Sequence, residues 1–118
     1  MAKVLVVDDS AFMRMRCVSL LRELGHEAVE AADGEQALEL FRSSLFDAVL
    51  LDITMPGLDG LTVLREIMAL NPRAKVAMVT AMGQRGMVAE ALASGAKDFI
   101  IKPFEVSHVK EALEKLVA

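Results

Sequence analysis

Tryptophan and tyrosine are missing from this chain of 118 residues, and cysteine occurs once. The lone thiol, Cys17, cannot close an internal disulfide, which excludes a disulfide scaffold and makes a reducing cytoplasm the expected compartment. No apolar stretch approaches the about 20 residues that a bilayer-spanning helix needs, so no membrane role is expected. A secretory leader is not expected either, because the N-terminus runs straight into a strand pattern. Basic residues are in the minority, 13 Lys and Arg against 17 Asp and Glu, for a net charge of −4. That balance speaks against a nucleic-acid partner. Asn occurs once and Gln twice; in so short a chain a shortage of thermolabile amides excludes nothing. There is no Gly-x-Gly-x-x-Gly, so a dinucleotide site of the Rossmann kind lacks its phosphate loop. Linkers, repeats and low-complexity segments are absent.

What is present is a rich apolar fraction, 54%, in a chain long enough for one domain, residues 1–118. Strand and helix patterns alternate with short connections. Strands are expected at 3–7, 27–31, 47–51, 75–79 and 97–101, where apolar runs are bounded by turn residues. Helices are expected at 11–24, 34–42, 60–70, 84–94 and 106–117. The first carries Met13, Cys17, Leu20, Leu21 and Leu24 at helical spacing. Ala37, Leu38 and Phe41 form the inner face of the second, and Val109, Leu113 and Leu116 that of the last. Gly25 and Gly95 suit helix C-termini, and Asp59 suits an N-cap. Five apolar strands alternating with five helices imply an α/β fold, a parallel sheet covered on both faces. The doubly wound strand order 2-1-3-4-5 fits five such units and puts a crevice at the C-terminal ends of the first and third strands.

Aspartate closes both of those strands. Val6-Val7 runs into Asp8-Asp9, and Val49-Leu50-Leu51 runs into Asp52. A carboxylate at the mouth of a buried strand is costly unless something uses it. Three together repel one another, so either some stay protonated or a cation neutralises them. Hard oxygen ligands without His or Cys suit Mg²⁺. The fourth and fifth strands bring Thr80 and Lys102 to the same edge, a hydroxyl and a compact cation that suit a phosphoryl group. Each residue alone has a structural reading, as a turn, cap or strand end. Jointly they describe an aspartate nucleophile, Asp52, with a metal and a lysine to stabilise the transferred group.

In Val6-Val7-Asp8-Asp9-Ser10, Leu51-Asp52-Ile53-Thr54-Met55-Pro56, Val79-Thr80-Ala81 and Asp98-Phe99-Ile100-Ile101-Lys102-Pro103, the chain resembles a response-regulator receiver domain of the CheY type over its whole length. The 2-1-3-4-5 order belongs to that family and is not independent of the resemblance. The resemblance implies a two-component phosphoacceptor switch rather than an enzyme acting on other molecules. Asp52 would take a phosphoryl group from the phosphohistidine of a CheA-like histidine kinase. Asp9, Asp52 and the Thr54 backbone carbonyl would ligate Mg²⁺, with Asp8 holding a metal-bound water. Thr80 and Lys102 would contact the phosphoryl oxygens, and the Lys102-Pro103 bond would be cis. Thr80 and Phe99 would form the switch: Thr80 moves inward and Phe99 rotates into the vacated space. Phe99 stands where many relatives have Tyr, which implies a less polar switch.

The resemblance further implies a monomer that signals by docking, in chemotaxis to a flagellar-motor switch protein, since no DNA-binding segment follows residue 118. The alternative within the family is a phosphorelay intermediate or the receiver of a longer regulator. An aspartate-nucleophile Mg²⁺ phosphatase of the haloacid-dehalogenase type is more distant, because it wants a second Asp where Thr54 stands. A flavodoxin-like flavin binder wants a hydroxyl-rich loop where Asp8 and Asp9 stand. Phe12, beside Met13 and Arg14, is expected to be an exposed anchor for a kinase or phosphatase, and Met82 and Met87 to serve either as an adaptable partner surface or as core filling. Cys17 is expected to be buried, and His26 and His108 to lie on the surface.

Family geometry implies that Thr54 and Met82 flank the path of the water that removes the phosphoryl group, and Met82 cannot orient water by a strong hydrogen bond. Met82→Asn is therefore expected to shorten the lifetime of the phosphorylated state, followed by loss of label after phosphodonor removal. Equal decay of the two proteins would refute this role.

Overall fold

The computed structural model describes residues 1–81 and 85–117. Strands β1 (Lys3–Val7), β2 (Glu27–Ala31), β3 (Ala48–Asp52), β4 (Val76–Ala81) and β5 (Asp98–Lys102) alternate with helices α1 (Ala11–Glu23), α2 (Gly34–Ser43), α3 (Gly60–Leu70), α4 (Arg85–Ala93) and α5 (Val106–Val117). The strands form one parallel sheet, as the alternation predicts, in the order β2-β1-β3-β4-β5 that the resemblance implies. Element bounds differ from the sequence reading by a residue or so. β3, β4 and β5 each run on into their last polar or small residue, Asp52, Ala81 and Lys102, because ladder pairing rather than apolarity sets a strand's end. Gln84, expected in the fourth helix, lies outside the described residues.

Successive strand residues point to opposite faces, and the core divides accordingly. Leu5, Val7, Val49, Leu51, Val76 and Met78 join residues of α2, α3 and α4 on one face. Val4, Val6, Ala48, Leu50, Ala77 and Val79 join Cys17, Val18 and Leu21 of α1 and Val109, Leu113 and Leu116 of α5 on the other. Full burial of each Val, Leu or Met side chain among them contributes about 1.5–3 kcal/mol. Met87 is half-buried and packs against the first of these layers, which favours the core-filling reading over a free partner surface.

Caps set the helix starts. Ser10, Asp33 and Asp59 accept from the backbone N–H groups of Met13, Gln36 and Thr62. With Ser10 as the cap of α1, neither Asp8 nor Asp9 is spent on that task. His26 corrects the surface expectation. It is half-buried, and its Nδ1 accepts from the Ala2 N–H at 3.0 Å, tying the N-terminal segment to the start of β2. His108 is exposed.

At the start of α3 the chain folds back on the end of β3. The Gly60 N–H donates to the Ile53 carbonyl at 2.8 Å. A Cβ at position 60 would overlap the Asp52 carbonyl oxygen and stand 2.7 Å from the Ile53 Cα. Both are backbone atoms of the central strand's end, so neither yields cheaply. Gly60→Ala is expected to cost about 1–3 kcal/mol, measured by urea unfolding. An unchanged midpoint would show that the α3 start can slide away.

Candidate acidic site at the C-terminal edge of the sheet

β1 and β3 are adjacent, so their aspartates meet. One oxygen from each of Asp8, Asp9 and Asp52 lies within 4.8 Å of the others. Asp8 and Asp52 are buried, at 6% and 5% exposure, whereas Asp9 faces solvent. β5 delivers Lys102 from two strands away, and its ammonium bridges the buried pair, 2.8 Å from Asp8 Oδ2 and 3.2 Å from Asp52 Oδ2. The other oxygen of each carboxylate accepts from the backbone two residues on. Asp8 Oδ1 takes the Ser10 N–H at 2.9 Å, and Asp52 Oδ1 takes the Thr54 N–H at 3.3 Å. Both buried carboxylates are thus held on two sides before any ligand arrives.

Burial pushes the Asp52 carboxyl above its ordinary range; Lys102 pulls it back and Asp8 adds to the rise, with a net upward direction. For Lys102 burial acts downward, but the hydrogen bonds and charges of Asp8 and Asp52 outweigh it and raise the ammonium. Three carboxylates against one ammonium leave two negative charges uncompensated. The donor set is all oxygen, with one carboxylate open to water. That fits a small hard divalent cation such as Mg²⁺, which keeps several waters and dislikes a closed cage. Asp8, Asp9 and Asp52 are the residues that could hold it.

The other residues singled out from the sequence fall around this edge. Thr80 is 2% exposed, and its hydroxyl donates to the Ala81 carbonyl at 3.2 Å. In register Thr80 faces Ile101 and Met78 faces Phe99, so all four share one face of the sheet. Phe99 stands 41% exposed on that face, as does Ile101 at 45%, because β5 is the sheet edge. Thr54 is exposed just beyond Asp52. The Lys102-Pro103 bond is cis, as expected. Phe12 is exposed, as expected. Cys17 is buried beneath the site; burial first and Asp8 second push its thiol up to about 12, so it is inert at neutral pH. Met82 lies outside the described residues.

Two participants were not singled out beforehand. Arg14 donates from Nη1 to the Asp8 carbonyl at 2.7 Å and from Nε to Glu30 at 3.3 Å. Gly60 lets α3 approach the Asp52 backbone. Among the described residues no helix is long and apolar enough to cross a membrane.

Comparison with known proteins follows the same lines. A family profile described as the response regulator receiver domain matches residues 4–114. The chain is 48% identical to the chemotaxis protein CheY of Thermotoga maritima over 115 residues, covering 97% of this chain and 96% of that one. It is 50% identical to the CheY of Listeria monocytogenes over 116 residues, 98% of each chain. The solved structure of the Vibrio cholerae chemotaxis protein CheY4 superposes with a TM-score of 0.92 at 30% identity, covering 98% of both chains.

A raised acid favours the folded state only while it is neutral. The folded-state penalty for Asp52 is absent below the ordinary carboxylate range and is complete once pH has risen through its raised folded value. Asp52→Asn keeps the shape and leaves Lys102 its contact with Asp8. It is expected to stabilise the protein by on the order of 1 kcal/mol at neutral pH, with the gain shrinking as pH falls. Urea melts across a pH series read this; a constant difference at every pH would disprove the burial penalty.

Proposed function

Because this chain belongs to the response-regulator receiver family, we propose that Asp52 is its phosphoacceptor and takes the phosphoryl group of a histidine-kinase phosphohistidine. As a receiver of the CheY kind, the chain is a signalling component of a two-component system. The observation that carries the finer reading is the convergence of Asp8, Asp9 and Asp52 within 4.8 Å under the Lys102 ammonium.

An Asp52 carboxylate oxygen attacks phosphorus. The new P–O bond forms as the P–N bond to imidazole breaks, and the departing nitrogen keeps the electron pair and takes a proton from solvent. Asp9, Asp52 and the Thr54 carbonyl would hold Mg²⁺, with Asp8 beside them, and the ion would supply positive charge against the phosphoryl oxygens. Lys102 already lies 3.2 Å from Asp52 Oδ2, so its ammonium serves the transferred group without a long move. The charge it leaves behind on Asp8 is then balanced by the cation. Thr80 lends its hydroxyl to the third phosphoryl oxygen by giving up its bond to Ala81.

The readout follows from the sheet. Thr80 shares a face with Phe99 and Ile101, two exposed apolar side chains on the edge strand. An inward shift of Thr80 opens space on the face to which Phe99 belongs and changes what the edge presents, and a coupling of about 1–3 kcal/mol is typical of such linkage. The relatives named chemotaxis proteins support a motor switch protein as the partner and a CheA-like kinase as the donor. Phosphorylated chain is expected to bind a motor-switch peptide more tightly than a histidine-phosphotransfer domain.

The test of the acceptor is intact mass after incubation with acetyl phosphate. One phosphoryl group is expected on the native chain with Mg²⁺, and none without Mg²⁺ or in Asp52→Ala. Labelling of Asp52→Ala to the native extent would move the acceptor elsewhere.

A further inference from the structure

The geometry around the Asp8-Asp9 peptide points to a positioning role for Arg14, and we infer that its guanidinium sets the site's affinity for a divalent cation by fixing the backbone from which Asp9 projects. This rests on the reading of the acidic cluster as a Mg²⁺ site.

Asp8 is held at every polar atom. Its N–H donates to the Ala31 carbonyl at 3.2 Å, its two carboxylate oxygens take Ser10 and Lys102, and its carbonyl takes Arg14 Nη1 at 2.7 Å. Asp9 is the opposite case. It is exposed, and among the described residues no hydrogen bond or ion pair restrains its carboxylate. With the side chain free to turn about its own bonds, its backbone is what fixes where the carboxylate can reach. The carbonyl that Arg14 grips belongs to the peptide joining Asp8 to Asp9. Fixing that peptide plane fixes the bond along which Asp9 leaves it.

Arg14 is itself braced. Nε donates to Glu30 at 3.3 Å, and Glu30 lies on β2 opposite Val6 of β1. The guanidinium thus spans from α1 to the neighbouring strand and crosses the loop it grips. The ion pair is half exposed on the glutamate side and contributes little stability by itself. Its use is directional, since a planar fork with one tooth on Glu30 presents the other at a set angle. Lysine would supply a single donor without that brace.

The test is isothermal titration of Mg²⁺ into the whole chain. Arg14→Ala is expected to weaken binding about tenfold, the lower end of what outer partners of metal ligands contribute. Arg14→Lys should recover part of the loss, and Glu30→Gln should show a smaller loss of the same sign. A purely structural arginine would lower the melting temperature and leave Mg²⁺ affinity where it was. If the native chain binds Mg²⁺ and Arg14→Ala binds it equally well, the inference fails while the site reading stands. If the native chain binds no Mg²⁺, both fail. Should Arg14→Ala not fold, native affinity in both Arg14→Lys and Glu30→Gln overturns the inference.

Discussion

The ammonium of Lys102, seated between Asp8 and Asp52, is the contact on which the rest of the site depends. Two like charges 4 Å apart repel by about 4 kcal/mol at an effective dielectric near 20, and here two of three converging carboxylates are also buried. Without a cation among them the ends of β1 and β3 would meet only with a carboxyl protonated or at the cost of that repulsion. The lysine makes the arrangement tolerable but leaves it two charges short of neutral. That remaining imbalance is what makes the site a receptor for a divalent ion rather than a finished salt bridge.

The fold does the rest by register. In a parallel sheet all strand C-termini emerge on one edge, so residues far apart in sequence come together there. Asp8, Asp52 and Lys102 each stand at or just beyond the end of their strand, and Thr80 one residue before it. The same register places Phe99 and Ile101 on the face that Thr80 occupies. A chemical event at one edge and an apolar surface at the sheet's side are thereby joined through a single pair of neighbouring strands.

Much of this was legible in the residues. Buried parallel strands are continuous apolar runs, and Val4 to Val7 and Ala48 to Leu51 are unmistakable as such. Ser, Asp and Gly at helix ends act through their own backbone and are local signals, which is why Asp59, Gly25 and Gly95 could be assigned. Arg14 could not be, because beside Met13 and Met15 it looks like any solvated charge. Its meaning depends on Glu30, sixteen residues on and on another strand. Gly60 stands only as the first residue of an expected helix, but its requirement comes from the Asp52 backbone, a contact that appears only once α3 packs down. His26 offered an isolated ring, and the N–H it accepts from belongs to a terminus with no side-chain signature. In each case the missing information was a partner distant in sequence, and for Gly60 and His26 that partner is backbone, which leaves no trace in residue type.

Lys102 also has a mechanical meaning. β5 is an edge strand, paired on one side only, and β4 separates it from β3. Two interstrand spacings amount to about 10 Å, which the Lys102 side chain and the Asp52 carboxylate that it meets span together. The lysine is therefore a strut between the rim of the sheet and its middle, anchored by charge rather than by a ladder of amides. A strut of that kind can be reseated without breaking any backbone pairing. Any group that draws the ammonium away from Asp8 alters how the rim is moored while the sheet itself stays intact.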